Sequence, residues 1–589
     1  MTRSPRLPPF PVVARHAIAV TAAVILTGGQ AVAQDPVGAA VKQADGISRR
    51  FSEDVRQFEE KTSRTVRQAP GGIAAGPELV GGDGESGQCV AVNRIAVSGV
   101  TLLPQLDLQK TVSEWQGRCL RLSDLNAVLQ KITFLYINRG YVASRAYLPE
   151  QDLSTGTLTV NVIEGRLQDI IVKQGRAAGG QLLTAFPGLK GRPLNLRAVE
   201  QGLDQINRLR SVKATISLEA GAEQGDSVLG VTLQRQKPWA LSIGADNSGT
   251  PSTGIYQSRA DLGVDNVLGL NDQWSVNYQR SMARHPLFMS EDPPTSNLVA
   301  LAASIPYGAW LFGVDSSWSS YRSSVRGQIS DIDTSGSSES VSPYASVILS
   351  RDQISKTWLS GRLTRKSTEN FLLGSRLDSA SRTLAVASME IGHSRQLLGG
   401  EASVSIEYRR GLNILGAVDD ATAAVGSPKA QYDMLAYSLG YVRSQDIDAF
   451  TGIFRTSLSG QWTDDPLFAS EQMAFGGNST VRGVRDALLS SSTGVLWRNE
   501  LSMLLPPPEE DGLAQAFGRL EPYMAVDVGH ARANAEDGSI GGTMTGGTVG
   551  LRNRGGQLNF DIFYSRVLSI SGARRPDDGL VQARLTIQF

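Results

Sequence analysis

The chain has no surplus of charge: 57 Lys and Arg stand against 57 Asp and Glu over 589 residues. Such a balance leaves no net field to draw it to nucleic acid or to an anionic surface. Histidine is scarce, with His16, His285, His393 and His530 scattered singly and no nucleophile motif, metal-ligand spacing or phosphate loop around them. Hydrolytic, metal and nucleotide chemistry therefore have no visible starting point. No run approaches the 18 or so apolar residues that a membrane-spanning helix requires. Either the mature protein is soluble or its membrane part is made of strands. Cysteine is limited to Cys89 and Cys119.

What is present begins with an address. Arg3, Arg6 and Arg15 surround the start of an apolar run from Ala17 to Leu26, and Gln-Ala-Val-Ala-Gln follows at 30–34. A basic start, a short apolar core and a small-x-small site predict a secretory signal over 1–33, cleaved after Ala33. In the oxidising compartment that follows export, Cys89 and Cys119 predict one disulfide, closing a loop of about 30 residues and worth roughly 3 to 4 kcal/mol in the chain-entropy model. No histidine lies near either in sequence, which speaks against a catalytic thiol. Over 34–69, Val37, Val41, Ala44, Ile47, Phe51, Val55 and Phe58 fall near one stripe between charged residues. That spacing predicts an amphipathic helix with a narrow apolar face. Residues 70–87, with seven glycines and two prolines, read as a flexible linker.

Two compact units come next. Over 88–165 the pattern reads as strand Val90–Val97, helices Leu106–Trp115 and Leu122–Arg139, and strands Tyr141–Leu148 and Thr157–Val162, with Ser123 and Asn126 at the start of the second helix and Gly140 at its end. The same β-α-α-β-β order recurs over 166–236. From 237 to 589 the chain is rich in Ser, Thr, Gly and scattered aromatics, and sixteen segments alternate with period two. In the last, Val581, Ala583, Leu585, Ile587 and Phe589 alternate with Gln582, Arg584, Thr586 and Gln588. Connections after odd-numbered segments read as long, at 281–297, 322–340, 409–433 and 463–492, and those after even ones as short, with 506–521 the exception. A transmembrane barrel entered from one side has that asymmetry. Sixteen strands enclose a lumen wider than side chains can fill, so something has to occupy it.

The stretch Met473 to Asp486 is too Gly-rich for a regular element, with Gly476, Gly477 and Gly483 close together. Alone it reads as a solvated surface loop. Within a barrel it is the sixth external loop, long enough to fold back inside. In the thirteenth strand Tyr523, Ala525, Asp527 and Gly529 share one face, and Met524, Val526 and Val528 the other. The apolar set faces lipid, so Asp527 points inward, and Arg482 at the loop tip is expected to pair with it in bidentate fashion.

Val481-Arg482-Gly483, preceded by Gly476-Gly477 and followed by Asp527-Val528-Gly529, resembles the sixth-loop and inner-strand motifs of the BamA-like superfamily. Within it, Gly140 to Leu153, reading Gly-Tyr-Val-Ala-Ser-Arg-Ala-Tyr-Leu-Pro-Glu-Gln-Asp-Leu, with Gly156-Thr157-Leu158, Glu164-Gly165, Asp246-Asn247-Ser248-Gly249-Thr250 and Asp265-Asn266, resembles the two-partner secretion transporters (TpsB family, haemolysin/haemagglutinin activation and secretion type). Val484 departs from it, since an aromatic is more usual there.

The resemblance implies α+β periplasmic POTRA domains (β-α-α-β-β) followed by a 16-stranded antiparallel transmembrane β-barrel in the outer membrane of a Gram-negative bacterium. The 34–69 helix becomes a plug, 88–165 and 166–236 become POTRA 1 and 2, and 237–589 the barrel. It further implies type Vb secretion of one large adhesin- or haemolysin-like (TpsA-like) partner. Val481, Arg482, Gly483, Asp527 and Gly529 would lock loop to barrel, Tyr141, Arg145 and Tyr147 would contact the unfolded substrate, and Phe589 would be read by the barrel-assembly machinery. The expectation is a monomer in outer-membrane lipid, without enzymatic activity, cofactor, metal or nucleic acid. The alternative is an outer-membrane barrel assembly or insertion factor.

Overall fold

The computed structural model describes residues 41, 43 and 89–589 apart from 178, 283–293, 327–329, 424–425, 535–538 and 540. The signal segment, the linker and all of the 34–69 helix except Val41 and Gln43, both helical, lie outside the described residues.

The first unit runs β1 (Val90–Val92), β2 (Arg94–Ser98), α1 (Gln105–Ser113), β3 (Arg118–Leu120), α2 (Leu122–Asn138), β4 (Arg145–Tyr147) and β5 (Thr157–Ile163). One side of α2 is buried through Leu125, Val128, Ile132, Thr133 and Tyr136, the spacing of a single helical stripe. It starts differently from the sequence reading: Asp124, not Ser123, takes the exposed Arg121 N–H at 2.8 Å. It ends at Gly140, whose φ of +89° a side chain rarely adopts. β2 and β5 pair parallel and β4 joins β5 antiparallel. The short β1–β3 ladder is an addition, and Cys89 and Cys119, bonded to each other, stand at it.

The second unit repeats the arrangement with β6 (Arg166–Gln174), α3 (Gln181–Ala185), α4 (Leu196–Asn207), β7 (Val212–Ala220) and β8 (Asp226–Arg235), in the order β6-β8-β7. Leu167, Phe186, Ile206, Leu209, Leu229 and Val231 form its core.

The rest closes into a barrel. Its strands are β9 (Trp239–Asp246), β10 (Gln257–Asp265), β11 (Gln273–Ser281), β12 (Thr295–Tyr307), β13 (Trp310–Arg326), β14 (Asp331–Arg351), β15 (Ser355–Leu372), a two-residue β16 (Ser375–Arg376), β17 (Arg382–Leu397), β18 (Gly400–Leu412), β19 (Asp433–Ile447) and β20 (Phe450–Trp462). After a long loop containing β21 (Met473–Phe475) and β22 (Leu489–Ser491) come β23 (Gly494–Leu504), helix α5 (Asp511–Phe517), β24 (Gly518–Ala531), β25 (Gly542–Gly555), β26 (Leu558–Ile570) and β27 (Leu580–Gln588). The ring is antiparallel throughout, and β27 closes onto β9 through five residue pairs, Arg584 with Asp246 to Gln588 with Ser242. All sixteen alternating segments are wall strands.

Two expectations change. Residues 322–340 are mostly not loop: β13 and β14 stay paired up to Arg326 and Asp331, because Ser and Thr suit a two-sided polar ribbon beyond the membrane. The 506–521 turn holds α5 and ends at Phe517, four residues early, where β24 begins.

The wall shows the alternation that water on one side and lipid on the other demand. Along β24, Met524 and Val526 are exposed outward while Tyr523, Ala525 and Asp527 are buried inward. The second small domain is bolted to the adjoining barrel turns by polar contacts. Arg208, at the end of α4, donates to Ser304 Oγ and to the Asn271 carbonyl, both at 2.7 Å. Burial lowers its pKa to about 10, so it stays charged at neutral pH. Arg351 reaches Asp204 at 2.5 Å, and the Ser211 amide donates to Asp265 at 2.9 Å.

Candidate functional site

The loop between β20 and β23 folds back into the lumen, and its Gly-rich centre forms the short β21–β22 hairpin. Phe475, Val481 and Leu489 from the loop pack on Leu496, Ala531, Met544 and Val567 from the wall, with Val484 half-buried at the edge of the cluster. Small residues make the seat. A Cβ on Gly529 would lie 2.3 Å from the Phe475 ring, and one on Gly546 would lie 2.0 Å from the Arg482 carbonyl oxygen. On the loop side Gly483, at φ +127°, passes so close to β26 that a Cβ would meet the Arg566 carbonyl carbon at 2.6 Å.

Arg482 sits on this seat. Its Nε and Nη2 donate to the two Asp527 oxygens at 2.6 and 2.7 Å, and its backbone amide adds a third bond at 3.2 Å. Asp527 is fully buried and Arg482 is 7 % exposed. A planar guanidinium on a carboxylate fixes orientation as well as distance. A second arginine, Arg498 on β23, completes the grip: Nε approaches Asp527 at 3.3 Å, and Nη1 donates to the Ser479 carbonyl of the loop at 2.9 Å. Glu500, two residues on, stands 3.5 Å from Arg482 and bonds Arg552 at 2.5 Å. The sequence reading missed both residues. The signal was available, because Trp497, Leu501 and Met503 face outward and so turn Arg498 and Glu500 inward.

The loop has two further attachments. At its entry Glu471 accepts from Lys366 Nζ and from the Tyr432 hydroxyl, both at 2.9 Å, and Lys429 meets Asp465 at 2.6 Å. On its return limb Arg485 donates to the Asn247 and Gly249 carbonyls. Asn247 in turn holds β27, its side-chain oxygen accepting the Ala583 amide at 2.9 Å. The loop therefore touches the strand junction that closes the ring. The described part of the N-terminal helix also meets the inner wall: Gln43 donates to Ser323 Oγ at 2.9 Å and accepts from Thr334 Oγ1 at 3.1 Å.

The three residues singled out in the first small domain are not brought together. Tyr141 packs edge-on against Tyr136, and Arg145 donates to its neighbours' carbonyls at Val142 and Ser144. Tyr147 is exposed on edge strand β4. Much of the surrounding motif is framework: Gln151 brackets Thr159, accepting its amide at 2.7 Å and donating to its carbonyl at 2.9 Å. Glu164 accepts from the Thr101 and Leu102 amides and the Tyr136 hydroxyl. Burial pushes its carboxyl up, but these bonds outweigh it and hold it below the usual range, while burial and Glu164 raise the Tyr136 phenol. Phe589 is exposed, its amide bonded to the Leu241 carbonyl at 2.9 Å. His393 and His530 bond to Thr357 and Thr543, each at 2.9 Å.

The family model for haemolysin secretion/activation proteins ShlB/FhaC/HecB matches residues 225–553, more than half of the chain. The chain belongs to this family. ShlB-type and general POTRA models match 90–165 and 166–220, respectively. Among curated relatives, the outer membrane transporter CdiB of Dickeya dadantii (strain 3937) is 33 % identical over 503 residues, covering 85 % of this chain and 87 % of the relative. The hemolysin transporter protein ShlB of Serratia marcescens is 29 % identical over 514 residues, covering 86 % and 87 %. The solved structure of CdiB from Escherichia coli superposes with a TM-score of 0.83 at 31 % identity, covering 95 % of this chain and all of that one. As a member of this ShlB/FhaC/HecB family the chain is an outer-membrane transporter of two-partner secretion, with its barrel in the membrane and its POTRA domains in the periplasm.

Proposed function

We propose that this transporter passes one large, unfolded adhesin- or haemolysin-like partner from the periplasm to the cell surface, with the seated loop as the part that holds the pore in its resting shape. The observation that carries the reading is the Arg482–Asp527 pair: a loop long enough to fill part of the lumen is held there by bonds that can be broken and remade. The POTRA domains would take the partner by strand addition at their open edges, where main-chain hydrogen bonds supply affinity and side-chain pockets select the partner. Tyr147 on β4 is an exposed residue at such an edge. The 34–69 helix would occupy the remaining lumen until a partner arrives, and the contacts of Gln43 with β13 and β14 support that placement. Folding of the partner outside, which buries its core, would make return unfavourable. The protein would act as a non-enzymatic monomer, inserted by the barrel-assembly machinery with Phe589 as the signal.

Deleting the gene should strand its large exported partner in the periplasm, and a copy carrying Arg482→Ala should not restore export. If other barrels vanish from the outer membrane instead while the partner still reaches the medium, the chain is an assembly factor and this reading fails.

A further inference from the structure

At the outer edge of its lipid-facing band the barrel wall carries a polar recess. Residues along β11 and β13 alternate cleanly, with Trp274, Val276 and Tyr278 exposed on one face of β11 and Trp310, Phe312, Val314 and Trp318 on one face of β13. Those faces meet lipid. Arg280 continues the first row and Arg322 the second, so both guanidinium groups leave the barrel on the lipid side. The register puts Tyr278, Val299 and Trp318 level with one another, Arg280, Asn297, Ser320 and Ser337 one step further along, and Thr295, Arg322 and Ser335 one step beyond that. With the POTRA domains in the periplasm, these steps lead toward the cell exterior, so the arginines lie just outside the aromatic girdle.

There the wall is indented by a groove of about 470 Å³, lined by Arg280, Asn297, Ser320, Arg322, Ser337 and Phe371 among others. Eight of the ten lining residues belong to the outward rows, with the inward-facing Tyr321 and Gly336 between them, while the inward Gln279, Ser296 and Ser323 take no part, so the groove opens mainly to the outer side of the wall. Among the described residues neither Arg280 nor Arg322 has a carboxylate within ion-pair distance. The outward carboxylates nearest in the register stand on β14 and β15: Asp333 one step beyond the Ser335 that faces Arg322, Glu339 level with Trp318, and Glu369 level with Ser337. The two arginines of the groove thus stand on β11 and β13, and the carboxylates that flank it on β14 and β15.

We propose that this groove binds the phosphorylated diglucosamine head of the outer-leaflet glycolipid, lipid A. The chemistry matches in three layers. Arg280 and Arg322 lie two strands and one outward repeat apart, about 12 Å from strand geometry, and so can each take one of the phosphates that lipid A carries at opposite ends of its sugar pair. Asn297, Ser320 and Ser337 between them offer hydrogen bonds to sugar hydroxyls. Below, Tyr278, Val299, Leu301 and Trp318 present the apolar wall along which the acyl chains lie. A glycerophospholipid with a single phosphate uses only one of the two arginines. The inference depends on the outer-membrane setting and the orientation of the barrel, and is independent of the identity of the exported partner.

The test is native mass spectrometry of the purified mature chain in detergent, titrated with bisphosphoryl lipid A, monophosphoryl lipid A, phosphatidylglycerol or inorganic phosphate. Each variant is first shown to be a closed barrel by heat-modifiable mobility. The wild type should prefer bisphosphoryl lipid A, and Arg280→Gln and Arg322→Gln should each weaken it about tenfold, the scale of one charge-assisted hydrogen-bonding group. Arg443→Gln, an exposed arginine near the opposite end of the wall beside the 398–399 turn, should bind as the wild type does. Equal affinity for phosphatidylglycerol, saturation of the site by inorganic phosphate alone, or unchanged binding by the Arg280→Gln/Arg322→Gln double variant would each overturn the assignment.

Discussion

Gly546 sets the tightest condition at the loop seat. It faces Arg482 from the wall, and a methyl group there would overlap the arginine's carbonyl oxygen, a backbone atom that a rotamer change cannot move aside. Gly546→Ala should therefore displace the whole tip and give a larger or less steady single-channel conductance in planar bilayers, with no loss of barrel closure on gels. The side-chain half of the same contact is electrostatic. Arg482→Ala leaves the buried Asp527 facing only Arg498, which still reaches it at 3.3 Å, so the cost should fall below the about 3 to 5 kcal/mol of a fully orphaned buried charge. Asp527→Asn should be worse than its conservative form suggests, since two arginines then face a neutral amide, and a conductance trace equal to wild type would show that neither bond restrains the loop. This pair was legible in the sequence because strand alternation alone decides which way Asp527 points. The same alternation turns Arg498 inward, but its hold on the loop was not legible, since its loop partners Ser479 and Asn478 offer backbone carbonyls, which leave no mark on residue type.

The loop as an element has more supports than its motif suggests. Glu471 lies outside the Gly-rich centre, and its partners Lys366 and Tyr432 are 105 and 39 residues away. No local pattern links them, so no sequence reading would have joined them. Glu471→Gln should loosen the entry limb while sparing the Arg482 contact; accelerated proteolysis within 463–472 at unchanged cleavage near 482 would register it, and equal cleavage rates would exclude the anchor. In POTRA 1, Glu164 plays a comparable part, tying α2 to the start of α1. Its carboxyl is held below the usual range in the folded domain, so its contribution is complete above the ordinary glutamate pKa, about 4.3, and is lost as pH falls from there through the folded value. Acid unfolding of the wild type should accordingly be steeper with pH over that window than that of Glu164→Gln, measured by tryptophan fluorescence. Reduction of Cys89–Cys119, which closes 30 residues, should cost the same domain about 3 kcal/mol in urea titrations.

Over the whole molecule, the barrel was readable because lipid imposes period two on every strand, whatever its length. Strand ends were not: beyond the membrane both faces of β13 and β14 are polar, alternation ends, and the ladder continues on backbone bonds alone. The docking of POTRA 2 was likewise invisible, being made of scattered bonds from Arg208, Asp204 and Ser211 to residues 54 to 147 positions further along. Those bonds fix the second domain relative to the pore. Arg351→Glu, which sets like charge against Glu200 and Asp204, should broaden the spin-label distance distribution between POTRA 2 and the periplasmic turns, while one between two wall strands stays narrow.

The grip of Arg485 on Asn247 joins residues 238 positions apart, and Asn247 is itself pinned to the final strand. That bond has no acceptor in its proper place until the first and last segments of the cylinder have met, so seating of the tip belongs to the end of biogenesis. A half-built cylinder leaves its inner tongue untethered and open to proteases, and a cell has in that accessibility a ready sign that construction has stalled.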